Sequence, residues 1–285
     1  MISACIVCRN EAGKLGPCLE SVAWADEVVV LDLESEDRSA ALASEAGARV
    51  ISHPPVPIVE AVRNVVADAA AGDWILALDP DERVSPGLAA ELRRVSARSD
   101  IDAVVVPRMN FDFGYPAGST LQRYEPQLRM YRAAAVRWPA FPNALPEVPD
   151  ERVLRLAARD GLTLVHDRNR DIPEAIDRVR RYAPAQAQAM IDAGEVFSAR
   201  RMLVTLGEKL YRHLVLARAA RDGVPGLTRA GLLVAFHFYV WAAFWHKSGA
   251  ERTAADDRLL RRLDLALAPL RLLERVRAAR RRSPS

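Results

Sequence analysis

Three apolar runs that each end in polar residues constrain the fold of this chain more than any other feature. They cover residues 2–8, 27–31 and 74–78, and the sequence predicts helices at 14–22 and 38–46 between them. Continuous apolar runs of this length are typical of strands buried on both faces, as in parallel sheets joined by crossover helices. The sequence therefore predicts an α/β fold, Rossmann-like, with a mostly parallel sheet flanked by helices.

Polar side chains follow the ends of these three strands. Asn10 and Glu11 follow the first run, Asp32 ends the second, and Asp79 and Asp81 follow the third. Because ligands of open parallel sheets bind beyond the carboxyl ends of the strands, we expect these residues along one rim. Two carboxylates spaced i and i+2, together with phosphate oxygens of a ligand, suit Mg²⁺ or Mn²⁺. The pattern predicts a divalent-cation site at this rim.

The remaining sequence divides into two predicted domains. A small antiparallel addition is expected within residues 107–150, and the sequence beyond His166 is helical. We therefore expect a catalytic domain at residues 1–168 and a helical extension at residues 169–285. Further helices are predicted at 58–70 and 86–98, further strands at 103–106 and 161–165, and breaks in the helical part near 194, 223–226 and 248–249.

Charge is distributed unevenly between these two parts. Residues 1–167 hold 17 Lys and Arg against 25 Asp and Glu, whereas residues 168–285 hold 23 against 12. An acidic half joined to a basic half points to different partners for the two. Arg outnumbers Lys by 37 to 3, which is typical of a GC-rich genome, and we expect no nucleic-acid partner.

The cysteines and the first residues indicate a reducing compartment. Cys5, Cys8 and Cys18 are too few for a disulfide framework. Cys5 and Cys8 have the spacing of a metal-binding pair, but an odd separation on a strand points them to opposite faces. We interpret all three as core residues. No charged segment or cleavage site precedes the first strand, so we expect no signal peptide and a cytoplasmic protein.

Two segments of the helical half leave several interpretations open. Gly231 to Trp245 is apolar and aromatic between Arg229 and Lys247, and about 15 residues fall short of the roughly 20 needed to span a bilayer. It is interpreted as a buried or homodimer-forming helix, an interfacial membrane helix, or a span. Residues 258–282 form a basic amphipathic helix in the sequence, which either packs on the protein or docks on an anionic membrane.

Four motifs lie at residues 8–11 (CRNE), 18–22 (CLESV), 25–32 (ADEVVVLD) and 72–82 (GDWILALDPDE). Together they resemble the motifs of glycosyltransferase family 2, in particular the branch whose members add sugars to the lipopolysaccharide core. The resemblance covers residues 1–170 well and the helical part loosely. It implies a GT-A fold, a nucleotide-diphosphate sugar donor, a divalent metal and inversion at the anomeric carbon.

The resemblance also implies roles for individual residues. Asp32 matches the acidic residue that holds the uracil or ribose end of the nucleotide, and Asn10 and Glu11 match the loop that frames the nucleotide. Asp79 and Asp81 match the Asp-x-Asp motif, with Asp81 preferred as the direct metal ligand. Arg63-Asn64 matches an Arg-Asn pair that relatives have near the donor. Residues 127–129, including Arg129, match a Gln-Leu-Arg stretch, and Glu125 matches the acidic residue that precedes this stretch in relatives.

Two departures from the family pattern affect the site. Residues 32–37 read Asp-Leu-Glu-Ser-Glu-Asp where relatives have Asp-Ser-Gly-Ser-Thr-Asp, so we expect a narrower pocket or an altered base preference. Pro146-Glu147 stands where relatives often have His-Glu, and His166 is the candidate to replace the missing metal ligand. Arg129 is expected to bind the donor diphosphate or to form an ion pair.

The predicted activity is inverting transfer of a sugar to a saccharide or glycolipid acceptor in cell-envelope biosynthesis, with a UDP-sugar preferred as donor. Such transfer needs a base for the acceptor hydroxyl, for which we favour Glu125 over Glu147. We expect the protein on the inner face of the cell membrane. The alternatives are a catalytically silent scaffold that binds sugar nucleotide or membrane, and a nucleotidyltransferase, which would normally carry a Gly-rich basic loop after the first strand.

Overall fold

A computed structural model divides the chain into two compact units, Met1–Asp171 and Ile172–Ser285. It describes residues 1–56, 58–117, 123–139, 146–159, 161–251, 257–259, 261, 262 and 265.

One mixed sheet organises the first unit. In the described residues its strands follow the order β3-β2-β1-β4-β8-β6-β10-β5, with β7 and β9 paired to β6. The half built from β3, β2, β1 and β4 is parallel, whereas β8 runs antiparallel to both β4 and β6. The strands are β1 Ile2–Cys8, β2 Glu27–Asp32, β3 Arg49–Ser52, β4 Trp74–Leu78, β5 Glu82–Val84, β6 Ala103–Asp112, β7 Tyr115–Pro116, β8 Tyr124–Arg132, β9 Val153–Arg155 and β10 Leu164–Asn169.

Helices connect the parallel strands as crossovers. In this unit they are α1 Ala12–Ser21, α2 Ser39–Glu45, α3 Glu60–Ala69 and α4 Pro86–Ser96. The predicted alternation of strands and helices over the first 98 residues is confirmed, with ends that differ by a few residues. Gly47 ends α2 with a φ of 80°, a conformation that glycine adopts without a steric penalty.

The central strand β1 is buried on both faces, as its continuous apolar sequence predicts. Ile6 and Cys8 belong to one core cluster, and Cys5 and Val7 belong to the cluster on the opposite face. Burial raises the pKa of the Cys5 and Cys8 thiols to about 12, and all three cysteines are buried and free. The interpretation of these residues as core cysteines is confirmed.

Strand β6 is longer than predicted because it continues through a proline. The sequence-based strand ends at Val106, but the strand runs from Ala103 to Asp112. β9 pairs with residues 103–105 of β6 and β10 with residues 108–112, so neither strand is paired with Pro107. On the β8 side Pro107 is in register with Pro126, and neither proline has an N–H to donate to the other. The strand therefore extends into the site although Pro107 has no ladder hydrogen bond to give.

The antiparallel addition expected within 107–150 is present, because β7 and β8 run antiparallel to β6, but β8 lies in the middle of the main sheet. Met130 pairs with Val104 and Leu128 pairs with Val105, which leaves Arg129 as the extra residue of a β-bulge. A bulge bends the strand locally and redirects the side chain of the extra residue. The predicted last strand at 161–165 is also displaced, because β10 covers Leu164–Asn169.

The stretch that departs from the family pattern forms an ordered turn after β2. Glu34 occupies the position of the glycine in relatives and has a φ of 52°, and Asn10 in the neighbouring loop has a φ of 56°. Asn tolerates this left-handed region through local hydrogen bonds of its side chain, whereas Glu has no such compensation. The left-handed backbone conformation that glycine adopts most easily is therefore present at position 34, although the residue there is Glu.

The second unit is helical. Its longer helices are α5 Ile172–Asp192, α6 Ala199–Tyr211 and α7 Gly223–Ser248, with a π-turn at Arg212–Leu216 and a 3-10 turn at Ala219–Asp222 between the last two. A small aromatic cluster forms its core. Phe197 lies 6.1 Å from Trp241 and 6.0 Å from Phe244 between ring centroids, and the aliphatic side chains of α5 pack against them.

Helix α7 extends beyond the apolar segment of about 15 residues at 231–245. The helix has 26 residues, because it begins at Gly223, within the predicted break at 223–226. Pro225 lies in its first turn, where a missing N–H costs no helical hydrogen bond. The segment Ala219–Ser248 is the one described helix that is long and apolar enough to cross a membrane by length and composition.

The aromatic residues of α7 fall on two different faces. Trp241 and Phe244 are buried in the core of the second unit, whereas Phe238, Tyr239 and Trp245 are exposed. The helix therefore packs by one face, and its other face carries the aromatic rings that the sequence pattern had associated with a membrane interface. The predicted basic helix at 258–282 lies largely outside the described residues.

The left-handed conformation of Glu34 gives a test of the turn after β2. We expect Glu34→Gly to be more stable than Glu36→Gly by about 1 kcal/mol, since the left-handed region costs a non-glycine residue about 1–2 kcal/mol. Both substitutions change the unfolded chain equally, and Glu36 has no positive φ. Urea unfolding of the two variants measures the difference. Equal free energies of unfolding would contradict the strained turn.

Candidate functional site

The acidic turn after β4 is held against β10 by backbone pairing. β5 pairs antiparallel with β10, and β10 pairs in parallel with β6, so that His166 is in register with Glu82 on one side and with Asn110 on the other. The backbone N–H of Asp167 donates to the carbonyl of Asp81 at 2.9 Å. This register brings the side chains of β5, β6 and β10 together at one end of the sheet.

Glu82 is the buried centre of this arrangement. Its Oε1 accepts from Arg129 Nη2 at 2.6 Å and from Arg108 Nη1 at 3.1 Å, and its Oε2 accepts from the backbone N–H of Asp79 at 3.1 Å. The side chain of Glu82 is fully buried. A buried carboxylate is tolerated when charge-assisted hydrogen bonds of this kind compensate for its lost hydration.

Asp79 is held by two arginines. Arg63 Nη2 donates to Oδ1 at 2.9 Å and Arg129 Nη2 donates to Oδ2 at 2.6 Å. Burial opposes ionisation of Asp79, but the nearby positive charges, that of Arg129 first, hold its pKa below the usual range. Both oxygens of Asp79 are therefore engaged in ion pairs, and Arg129 adopts the ion-pair role that the sequence left open beside diphosphate binding.

Asp81 faces a histidine and a lysine. Its Oδ2 lies 3.4 Å from His166 Nε2 and 3.9 Å from Lys14 Nζ. Burial raises the pKa of Asp81, but His166 and Lys14 together outweigh this effect, so the resulting pKa is lowered. On the other side of the ring, His166 Nδ1 lies 2.7 Å from Asn110 Oδ1, which accepts, so Nδ1 carries a proton and Nε2 is directed at Asp81.

Asp81 and His166 together fit a divalent cation. A carboxylate oxygen and an imidazole nitrogen are both ligands of Mn²⁺, and hydrogen bonding of the opposite ring nitrogen is the usual way to orient a ligating histidine. In the described part of the chain, no three His, Cys, Asp or Glu side chains cluster as a complete metal site. A cation here would need further ligands from a bound molecule or water.

Glu125, the favoured base, lies at the edge of the same network. Its Oε2 accepts from Arg108 Nη2 at 2.5 Å and from Asn110 Nδ2 at 3.3 Å, and its side chain is 48% exposed. Burial opposes ionisation of Glu125, but the charge of Arg108 lowers its pKa. Glu125 is therefore a carboxylate at neutral pH that a second molecule can reach.

Glu147, the other candidate base, lines a cavity of about 750 Å³. That cavity is also lined by Leu128 and Val153, but not by Glu125 or by the residues around Asp81. The described hydrogen bonds and ion pairs do not connect Glu147 to the acidic turn. The two carboxylates that the sequence offered as bases thus lie in different surroundings.

The predicted nucleotide-binding residues of the first two loops tie those loops together. Asn10 Oδ1 accepts from the N–H of Glu36 at 2.8 Å, and the N–H of Asn10 donates to Ser35 Oγ at 2.9 Å. Asp32 is buried and accepts from the N–H of Ser35 at 3.0 Å. Glu11 is anchored through its N–H, which donates to Ser39 Oγ at 2.8 Å. These bonds fix the shape of the rim between β1 and β2.

The Arg63-Asn64 pair on α3 has two different environments. Arg63 reaches Asp79 and lies over the Trp138 ring at 5.0 Å from its centroid. Asn64 makes two hydrogen bonds to the backbone of Trp138, at 2.8 Å and 3.0 Å. Asn64 therefore positions Trp138, and Trp138 in turn packs against Arg63.

Sequence reasoning missed four residues of this network. Glu82 directly follows the Asp-x-Asp motif, and Lys14 lies on α1. Arg108 and Asn110 lie on the same face of β6 as the core residues Val104 and Val106, because side chains two residues apart share a face of a strand. This alternation is visible in the sequence once the strand is extended beyond Pro107. The signal was therefore available for these two, but Pro107 obscured it.

The sheet topology and the acidic end of β4 agree with the GT-A fold that the sequence predicts. The chain belongs to glycosyl transferase family 2, because the sequence model with the description "Glycosyl transferase family 2" matches residues 3–146. The family, the fold class and the enzyme class expected from the sequence are thereby confirmed.

Three related proteins illustrate the range of similarity. The lipopolysaccharide core biosynthesis glycosyltransferase of Rhizobium meliloti is 28% identical over 265 residues, which cover 90% of this chain and 97% of that protein. An uncharacterized glycosyltransferase of Rickettsia typhi is 23% identical over 69% of this chain and 70% of its own length. A TPR repeat-containing protein of Synechococcus elongatus is 38% identical over 46% of this chain, a match that spans only 34% of that protein.

Solved structures of glucosyl-3-phosphoglycerate synthase from Mycobacterium tuberculosis are also similar. One, in complex with Mn²⁺, UDP-glucose and phosphoglyceric acid, is 24% identical over 40% of this chain and 44% of that chain, with a TM-score of 0.32. Another, with Mn²⁺, UDP and glucosyl-3-phosphoglycerate, is 17% identical over 70% of this chain and 81% of that chain, with a TM-score of 0.43.

The ion pairs of Asp79 predict a pH-dependent effect of its substitution. Asn has the shape of a protonated Asp, so Asp79→Asn is expected to cost about 2 kcal/mol at pH 7, below the roughly 3–5 kcal/mol of a fully buried pair, because the Asp79 side chain is 29% exposed. The folded state lowers the pKa of Asp79, so this stabilisation is present above the unfolded pKa and is lost as pH falls.

The difference in unfolding free energy between wild type and Asp79→Asn is therefore expected to shrink below about pH 4, the ordinary range of Asp. Urea unfolding at pH 7 and at pH 3 measures it. A difference that stays constant between the two pH values would show that Asp79 contributes packing and not charge.

Proposed function

We propose that this protein transfers a sugar from a nucleotide-diphosphate donor to a hydroxyl of a saccharide or lipid-linked acceptor, with inversion at the anomeric carbon. The observation that carries the proposal is the placement of Asp81 beside His166 at 3.4 Å, within the same hydrogen-bonded network as Glu125. Such a transfer needs two components from the protein: ligands for a divalent cation, and an accessible carboxylate that acts as the base.

The donor end of the site is proposed at the rim formed by the loops after β1, β2 and β4. Asp32, Asn10 and Glu11 would contact the nucleoside, and Asp81 with His166 would hold Mn²⁺ or Mg²⁺. When bound, this cation supplies positive charge for the departing diphosphate. A UDP-sugar is favoured because the similar synthase from Mycobacterium tuberculosis was crystallised with UDP-glucose and Mn²⁺.

Arginines around Asp79 are proposed to add to this positive field. Arg63 and Arg129 are held in place by Asp79, and Arg129 also by Glu82, so their guanidinium groups need no reorganisation when a diphosphate arrives. Because Arg129 is almost fully buried between two carboxylates, its contribution is a fixed charge and not a direct contact with the phosphates.

Glu125 is proposed as the base. The acceptor hydroxyl oxygen forms a bond to the anomeric carbon as the bond from that carbon to the diphosphate oxygen breaks, and the hydroxyl proton passes to the Glu125 carboxylate. Arg108 and Asn110 hold Oε2, which leaves Oε1 as the oxygen for the acceptor. Since Arg108 lowers the pKa of Glu125, the base is ionised throughout the neutral range.

The acceptor is proposed to belong to the cell envelope, as in the lipopolysaccharide core glycosyltransferase that is similar over 90% of this chain. Residues 1–168 would bind the donor and residues 169–285 would bring the protein to the inner face of the membrane, where a lipid-linked acceptor resides. The basic composition of the second part and the exposed aromatic face of α7 support this location.

Metal-dependent donor binding tests the proposal directly. Asp81→Asn is expected to lose at least tenfold in Mn²⁺-dependent affinity for UDP-glucose, because it removes a metal ligand without removing volume. Calorimetric titration measures this, with Asp100→Asn as the control, since Asp100 pairs with Arg98 on the surface. Equal affinity of Asp81→Asn and the control would refute the metal assignment. Slow Mn²⁺-dependent hydrolysis of the sugar nucleotide by wild type would exclude a silent scaffold.

Two carboxamide variants compare the candidate bases. Glu125→Gln is expected to lower kcat by at least about 100-fold with little change in donor affinity, because the amide cannot take a proton. Glu147→Gln, which lies by the separate cavity, should keep kcat within a few-fold of wild type. The acidic limb of the wild-type pH profile should lie below the ordinary Glu range of about 4.3. The reverse ranking of the two variants would transfer the role to Glu147.

A further inference from the structure

The connection between α6 and α7 exposes large apolar side chains. We call residues 210–227 the apolar tip. Leu214, Val215 and Leu216 are consecutive and each at least 36% exposed. Soluble proteins rarely expose such runs unless the surface has a partner. The other exposed apolar residues of the tip are Leu210, Tyr211, Val224 and Leu227.

The apolar tip is a packed structure and not a loose loop. Ala217, Ala219 and Gly226 are buried beneath it, and a Cβ on Gly226 would lie 2.2 Å from the carbonyl oxygen of Ala219. The N–H of Ala217 donates to the carbonyl of Arg212 at 2.8 Å. Small residues therefore bring the backbones together, and the large apolar side chains are left on the outside.

Arginines alternate with the apolar residues. Arg212, Arg218 and Arg221 are exposed, and none of them has an ion-pair partner among the described residues. The one acidic side chain of the apolar tip, Asp222, lies 3.3 Å from the buried Arg229. The exposed surface of the tip is thus both apolar and cationic.

We propose that the apolar tip inserts into a bilayer of anionic lipids, with Leu214 to Leu216 among the acyl chains and the arginines on the lipid phosphates. Apolar insertion and attraction to anionic headgroups are the two terms that hold peripheral proteins on such membranes. Arg side chains reach the headgroup level while their stems remain in the apolar layer. This inference rests on the proposed membrane location and does not depend on the chemistry at Asp81.

Charge argues against two other occupants of this surface. A second copy of the chain would bring three arginines against three arginines. Residues 266–285 would also meet the tip with like charge, because they contain six Arg and one Glu. An anionic lipid surface is the partner whose charge complements the tip.

A single fluorescent label tests the insertion. The three native cysteines are buried, so Leu214→Cys in the full chain can be labelled selectively with an environment-sensitive nitrobenzoxadiazole dye. With vesicles of phosphatidylglycerol and phosphatidylethanolamine, the emission is expected to rise at least twofold and shift to the blue. Ile176→Cys, on the exposed face of α5, is the matched control and is expected to stay unchanged. Vesicle binding without a change at position 214 would refute the proposal.

Substitutions separate the apolar and cationic terms. The triple variant Leu214→Gln, Val215→Gln, Leu216→Gln is expected to bind these vesicles at least tenfold more weakly, whereas Ile172→Gln, Ile176→Gln, Tyr182→Gln is expected to bind as wild type. Arg212→Gln with Arg221→Gln should reduce binding about fivefold per arginine at low salt and flatten its salt dependence.

The same variants distinguish failure of this inference from failure of the proposed function. Mn²⁺-dependent binding of UDP-glucose in solution reports on the site at Asp81, and it is expected to be equal in all of these variants. If donor binding is intact but wild type ignores the vesicles, the membrane inference is wrong and the proposed transfer stands. A dimer that the apolar triple variant abolishes would instead identify the tip as a self-association surface, which also overturns the inference.

Discussion

The buried carboxylate of Glu82 is the interaction on which the rest of the site depends. Its ion pairs with Arg129 and Arg108 link the acidic turn to β8 and β6, and its second oxygen fixes the N–H of Asp79. A fully buried charge is costly unless every partner is in place, so this one residue imposes a single arrangement on three strands. Arg108 extends the same constraint to Glu125. The metal side and the base side of the site are thereby held in one network.

The network also determines the charge states of its members. Arginine charges keep Asp79 and Glu125 ionised despite burial, by lowering their pKa values. For the proposed function this has two consequences. A cation beside Asp81 finds carboxylates that need not lose protons first, and the proposed base is in its proton-accepting form at neutral pH. A carboxylate with a lowered pKa is also a weaker base, and Arg108 must offset this loss of basicity by holding Glu125 in position.

The sequence predicts the parallel half of the fold because its signals are local. The apolar runs around Ile6 and Leu76 and the carboxylates of Asp79 and Asp81 are contiguous in the chain. What it does not predict depends on partners distant in sequence. The extension of β6 through Pro107 depends on β9 and β10, which pair on either side of it, and on Pro126 of β8, which lies opposite it. The bulge at Arg129 becomes visible only in the pairing of β8 with β6.

In the proposed site, Asp81 and His166 hold a divalent cation that also binds the donor diphosphate. Pulsed electron paramagnetic resonance of Mn²⁺ in the complex with UDP tests it most directly, since the method detects magnetic nuclei of the ligands. We expect a nitrogen coupling from the imidazole, lost in His166→Gln, together with phosphorus couplings from UDP. Phosphorus couplings with no nitrogen coupling in the wild-type protein, or no bound Mn²⁺ at all, would contradict it.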